Sequence, residues 1–121
     1  MISMTELFTE HRPWGYYTIL DEGESYKVKK LVINPGERFS LQTHKFRSEF
    51  WTVVEGNPVI VCGESTKEYT IGEHVLIPRE TLHRLENKTD SRVIVIEIQN
   101  GSYLGEDDIV RYADDYNRIK G

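Results

Sequence analysis

Two stretches of the 121-residue chain carry side chains suited to holding a divalent metal: Gln42-Thr43-His44 with Glu49 five residues beyond His44, and His83. On a strand alternate residues share a face, so Gln42 and His44 project together while Leu41 and Thr43 point the other way. A turn over Lys45 to Ser48 brings Glu49, which opens the next apolar strand, back to the same space. His83 follows Pro78-Arg79-Glu80-Thr81-Leu82 and re-enters on a later strand as a fourth donor. Two imidazoles, one carboxylate and one amide form an N/O set for one divalent ion, with coordination positions left open. Zinc is the first expectation, ahead of iron, manganese, nickel and cobalt. The competing reading makes His44 and His83 hydrogen-bonded interior histidines and Glu49 an exposed strand start. His11 and His74 have no such partners and read as surface or supporting residues.

The elements that must position this set are strands. A single alanine, Ala113, stands against ten Val, eleven Ile and nine Thr, and β-branched side chains suit pleated sheets better than helices. Strands are expected near Gly15 to Leu20, Ser25 to Ile33, Phe39 to His44, Glu49 to Glu55, Val59 to Cys62, Lys67 to Ile71, His74 to Ile77, His83 to Asn87 and Arg92 to Gln99. Turn-formers fill the gaps: Asp21-Glu22-Gly23, Asn34-Pro35-Gly36, Glu55-Gly56-Asn57-Pro58, Cys62-Gly63-Glu64-Ser65 and Asn87-Lys88-Thr89-Asp90. Short strands at regular spacing predict an all-β sandwich or barrel. The tail from Gly105 to Arg118 reads equally as a short helix or an edge strand.

Composition narrows the classes further. The length fits one domain, 1–121, and 15 Lys+Arg against 20 Asp+Glu give a net charge of −5, without the basic patch that nucleic-acid binding requires. The longest apolar run, Val93 to Ile96, is far short of the ~20 residues needed to cross a bilayer. Met1 to Glu10 contains no secretory signal, so a cytoplasmic location is expected. The one cysteine, Cys62, lies in Val59-Ile60-Val61-Cys62 and reads as a small apolar side chain on a strand.

The spacing around the donors is itself a pattern. Five residues separate Gly36 from Gln42, one separates Gln42 from His44, four separate His44 from Glu49 and six separate Glu49 from Gly56; Gly72, Pro78, His83 and Asn87 follow with gaps of five, four and three. These stretches resemble the paired motifs of the cupin superfamily, with Gln42 in place of the first histidine and Glu80 in place of the glycine after Pro78. The resemblance implies a double-stranded β-helix, the cupin jelly-roll barrel. Over Arg12 to about Arg118 the chain resembles, more narrowly, the type II phosphomannose isomerase domain. Arg12-Pro13-Trp14-Gly15, Pro35-Gly36-Glu37-Arg38, His83-Arg84-Leu85-Glu86-Asn87 and Gly101-Ser102-Tyr103-Leu104-Gly105-Glu106-Asp107-Asp108-Ile109-Val110-Arg111 carry that likeness. In that family the domain is often the C-terminal part of a bifunctional protein with a mannose-1-phosphate guanylyltransferase. No Gly-rich phosphate-cradling loop precedes Arg12, so guanylyl transfer is not expected of these residues.

The resemblance implies a metal-dependent mannose-6-phosphate isomerase, which interconverts mannose 6-phosphate and fructose 6-phosphate, or a related sugar phosphate, through an enediol. In that reading Gln42, His44, Glu49 and His83 hold the metal, which polarises the sugar oxygens as a Lewis acid. The family's histidine-rich loop reads here Lys45, Phe46, Arg47, Ser48, Glu49, Phe50 and Trp51. Three imidazoles are therefore missing, which leaves Lys45 as the candidate base and Arg47 as the family arginine beside the reacting oxygens. Arg47, Arg84 and Arg111 are the candidates for holding phosphate. Two other readings stay open: an iron-dependent cupin oxygenase, and a non-catalytic sugar-binding or regulatory module that partners a separate guanylyltransferase chain. A homodimer is expected for a cupin of this size.

Overall fold

The computed structural model describes residues 7–116 as eleven strands and no helix. In chain order these are β1 (Thr9–Arg12), β2 (Gly15–Glu22), β3 (Tyr26–Ile33), β4 (Leu41–Thr43), β5 (Arg47–Glu55), β6 (Val59–Cys62), β7 (Ser65–Glu68), β8 (His74–Ile77), β9 (His83–Glu86), β10 (Val93–Gly101) and β11 (Val110–Ala113). A six-stranded sheet runs β1-β2-β3-β10-β5-β8 and a five-stranded sheet runs β11-β4-β9-β6-β7. Every pairing is antiparallel, so the chain is an all-β jelly roll, as its β-branched composition requires.

Period-2 alternation determines what faces inward. Along β5 the buried residues are Arg47, Glu49, Trp51 and Val53, and along β10 they include Val93, Val95, Glu97 and Gln99. The apolar members join Ile33 of β3, Ile60 of β6, Ile77 of β8 and Leu85 of β9 in one core drawn from both sheets. Phe39 ties Trp14 to Trp51 through edge-on ring contacts at 5.7 and 5.8 Å. This core closes one end of the sandwich and leaves the other end of the same strands to polar side chains.

Several expectations are adjusted. The tail forms β11, an edge strand paired with β4, and no helix among its described residues; Asn117 and Arg118 lie outside the described residues. The β6–β7 hairpin turns on Gly63 and Glu64, with Cys62 opposite Ser65, so β7 begins two residues earlier than expected. Gly63 has φ +60°, which suits the first position of such a two-residue turn. β1 was not foreseen. Among the described residues it pairs only with β2, and its alternation of exposed and half-buried residues gives no apolar signal. No helix among the described residues is long and apolar enough to cross a membrane.

Candidate metal centre and its cavity

The register of the two sheets assembles the donors. In the smaller sheet Arg111 of β11 lies opposite Gln42 of β4, and Gln42 lies opposite His83 of β9. In the larger sheet Glu49 of β5 lies opposite Gln99 of β10, and Glu97 lies opposite Lys29 of β3. The inner faces of the two sheets therefore meet with His83 and Gln42 on one side and Glu49 on the other. His44 is one residue beyond β4, where the Glu80 amide donates to its carbonyl oxygen at 2.8 Å.

His44, Glu49 and His83 each bring a ligand atom within 4.8 Å of the others, and all three residues are buried. His44 Nε2 is 3.2 Å from Glu49 Oε2, and His83 Nε2 is 3.8 Å from Glu49 Oε1. The outer hydrogen bonds define which imidazole nitrogens remain for a ligand. His44 Nδ1 donates to the Asp108 carbonyl oxygen at 2.6 Å and His83 Nδ1 to that of Thr81 at 2.9 Å, so both Nε2 lone pairs are turned to the centre. Gln42 Nε2 donates to the carbonyl and hydroxyl oxygens of Ser40 at 3.1 and 3.2 Å, which leaves its amide oxygen as the available donor atom. This chemistry fits a divalent metal among His44, Glu49 and His83, with Gln42 lining the same cavity. An exposed Glu49 is excluded, because it is 2% accessible.

Charge follows from burial. Desolvation lowers the His44 imidazole to about 4, with Arg47 and His83 pushing the same way against Glu49, so the ring is neutral at pH 7. Burial alone would raise the Glu49 carboxyl, but Arg47, His83 and His44 outweigh it and hold it well below the usual carboxylate range. Glu97 is pushed up to about 7 by burial and by repulsion from Glu49, with Lys29 opposing. A neutral imidazole at His44 beside an ionised Glu49 carboxylate is the pair of protonation states that metal binding needs.

Arg47 reaches this group, with Nε 2.8 Å from Glu49 Oε2 and Nη2 3.2 Å from His44 Nε2. Arg111 lines the same cavity. Two other cations do not. Lys45 is exposed beside Phe46, outside the cavity, because residues 44–46 turn on the Asp108 carboxylate, which accepts from the Lys45 and Phe46 amides at 2.9 Å each. The Arg84 guanidinium is likewise turned away and donates to the carbonyl oxygens of Phe39 and Ala113 at 3.0 Å each. A base at Lys45 and a phosphate contact at Arg84 therefore have no geometric support.

Arg12, Lys29, Glu97 and Glu106 also line the cavity and were missed. For Lys29 and Glu97 a signal existed: Lys29-Leu31-Ile33 and Val93-Val95-Glu97 are single alternations that run from apolar core into charge. Among the acids 106–108, Glu106 pairs with Lys29 at 2.7 Å and Asp108 builds the His44 turn.

The sequence matches the mannose-6-phosphate isomerase C-terminal family over residues 3–114. The chain belongs to that family. Its relatives include mannose-1-phosphate guanylyltransferase 2 of Escherichia coli O157:H7, 44% identical over 115 residues that cover 95% of this chain and 23% of the relative. The alginate biosynthesis protein AlgA of Pseudomonas aeruginosa is 44% identical over 108 residues, covering 89% of this chain and 22% of AlgA. The chain thus spans less than a quarter of the length of these relatives. Among solved structures, an RmlC-like cupin from Shewanella frigidimarina superimposes with TM-score 0.77 at 20% identity, covering 88% of this chain and 92% of that one. Oxalate decarboxylase from Bacillus subtilis gives TM-score 0.79 at 12% identity over 91% of this chain and 31% of that one. These likenesses establish the cupin fold.

The relatives also correct the functional expectation. Mannose-1-phosphate guanylyltransferase is the activity named for several of them, the Escherichia coli relative included, and this nucleotidyl transfer overturns the assignment of the chain as a mannose-6-phosphate isomerase. The missing loop imidazoles and the outward Lys45 agree with that correction, since the cavity then lacks the base assigned to it.

Proposed function

We propose that this family member is a metal-binding cupin that holds a small phosphorylated sugar in the cavity between its sheets. The observation that carries the reading is the division of the cavity wall: inward lone pairs of His44, Glu49 and His83 at one place, and the cations Arg12, Lys29, Arg47 and Arg111 around it. Gln42, His44, Glu49 and His83 would hold the ion, which supplies a Lewis-acidic anchor for sugar oxygens. The cavity's cations suit a phosphate, for which the Arg47 guanidinium offers Nη1, a buried group with no hydrogen-bond partner among the described residues. Sugar phosphate as the ligand class is supported by the relatives' name, which specifies mannose 1-phosphate.

Calorimetric titration tests the reading with mannose 1-phosphate, mannose 6-phosphate and unphosphorylated mannose, each with and without chelator. Binding of a phosphorylated sugar that is weakened by chelation is expected. Equal response to mannose and its phosphates, or none to any of them, contradicts it. The same reading includes a homodimer, supported by the exposed apolar side chains Val54, Ile71 and Leu76 around the β5–β8 side of the larger sheet. A light-scattering mass of two chains is expected, and a mass of one chain would remove that part.

A further inference from the structure

Arg47 contacts the same atoms that a metal would use. It is 6% exposed, its Nε donates to Glu49 Oε2 at 2.8 Å, its Nη2 donates to His44 Nε2 at 3.2 Å, and its buried Nη1 has no hydrogen-bond partner. Trp51 Nε1 donates to the other carboxylate oxygen, Glu49 Oε1, at 3.0 Å. A neutral imidazole nitrogen offers one lone pair, so His44 Nε2 serves either the guanidinium or a metal, but not both. A carboxylate oxygen has room for two partners, yet a divalent cation on Glu49 repels a guanidinium at hydrogen-bond distance in a poorly solvated site.

Alternative partners lie in the same cavity. Glu97 and Glu106 line the same cavity, and after Glu49 they are the carboxylates whose charges act most strongly on Arg47. The tight fit between the start of β5 and the end of β10 keeps the Arg47 backbone in place. Gly101 lies opposite Arg47, where a Cβ would overlap the Phe46 carbonyl oxygen, so the side chain has to do the moving.

Resting on the metal reading above, we propose that Arg47 is a resident cation that competes with the metal for His44 Nε2 and Glu49 and swings toward Glu97 and Glu106 when the metal binds. Arg47 is then a positioning residue that sets metal affinity, and metal loading releases its guanidinium from Glu49 and His44 to a position where an anionic ligand can share it with Glu97 and Glu106. By linkage, the anion strengthens metal binding by the same factor.

The test is zinc affinity, measured by competition with a chromogenic chelator at neutral pH for the wild-type chain, Arg47→Lys and Arg47→Met, with the side-chain Nε–H resonance of Arg47 followed in the wild type. Both variants are expected to bind zinc at least tenfold more tightly, because the lysine ammonium has no fork to span both acceptors and methionine carries no charge. The Arg47 resonance is expected to shift with one equivalent of zinc. Affinity in Arg47→Lys equal to or weaker than wild type overturns the competition, and so does a wild-type chain that binds zinc with the resonance unmoved. Absence of zinc binding by all three proteins overturns the metal reading together with this one. The resonance decides the matter without a variant if either substitution prevents folding.

Discussion

The inner faces of β5 and β10 each divide into two halves with opposite chemistry. Val53 and Trp51 on β5, with Val93 and Val95 on β10, pack into the apolar core, while Glu49 and Arg47, with Glu97 and Gln99, continue the same alternation as buried polar groups. The strands, the pleat and the burial are shared, and only the side-chain chemistry changes. The apolar half gains stability from removing hydrocarbon from water. The polar half holds charge at a desolvation cost offset by its pairings, so it adds little to stability.

The comparison can be broken most forcefully at Glu49. Glu49→Ala leaves Arg47 buried beside two imidazoles and is expected to cost about 3–5 kcal/mol and to abolish stoichiometric metal binding, read by urea unfolding and elemental analysis. Retained metal with wild-type stability would make the polar half incidental. Leu85 is fully buried in the apolar half, and Leu85→Ala is expected to cost about 2–5 kcal/mol while metal stoichiometry persists in the folded fraction. A loss of metal there would mean that the halves are not separable.

Protonation sharpens the contrast on a smaller scale. Glu97 is raised from an ordinary 4.5 to about 7, so its contribution to stability is present below pH 4.5 and is lost as pH rises toward 7. His44 runs the other way, gaining between about 4 and 6.5. The stability of the metal-free wild type minus that of Glu97→Gln should therefore fall from pH 4.5 to 7 and then level off; a difference independent of pH would contradict the assigned shift. The smallest expected effect lies outside both halves. Glu80 has φ +61°, and Glu80→Gly should stabilise the chain by about 1 kcal/mol. Thermal unfolding checks this, and a lower midpoint would indicate that the Glu80 side chain contributes more than its backbone strain costs.

The architecture was legible because β-branched residues and turn-formers alternate along most of the chain. That Gln42, His44, Glu49 and His83 share one cavity was legible because side chains of these types in a fixed spacing are rare enough to stand out. Lys45 was misplaced because strand order does not reveal that Asp108, more than sixty residues later, folds the 44–46 segment outward. Arg84 was misplaced for a related reason, since its partners are carbonyl oxygens at Phe39 and Ala113 that leave no trace in side-chain pattern. Lys29 and Glu97 were overlooked because charged residues ending an apolar alternation read as exposed strand termini, whereas both are buried.

Anomalous diffraction at the zinc edge, from crystals grown with the metal, tests the central claim most directly. A single strong peak is expected at about 2.0–2.2 Å from the Nε2 atoms of His44 and His83 and from the Glu49 carboxylate. A peak only at surface side chains, or none between these three residues, would contradict the account.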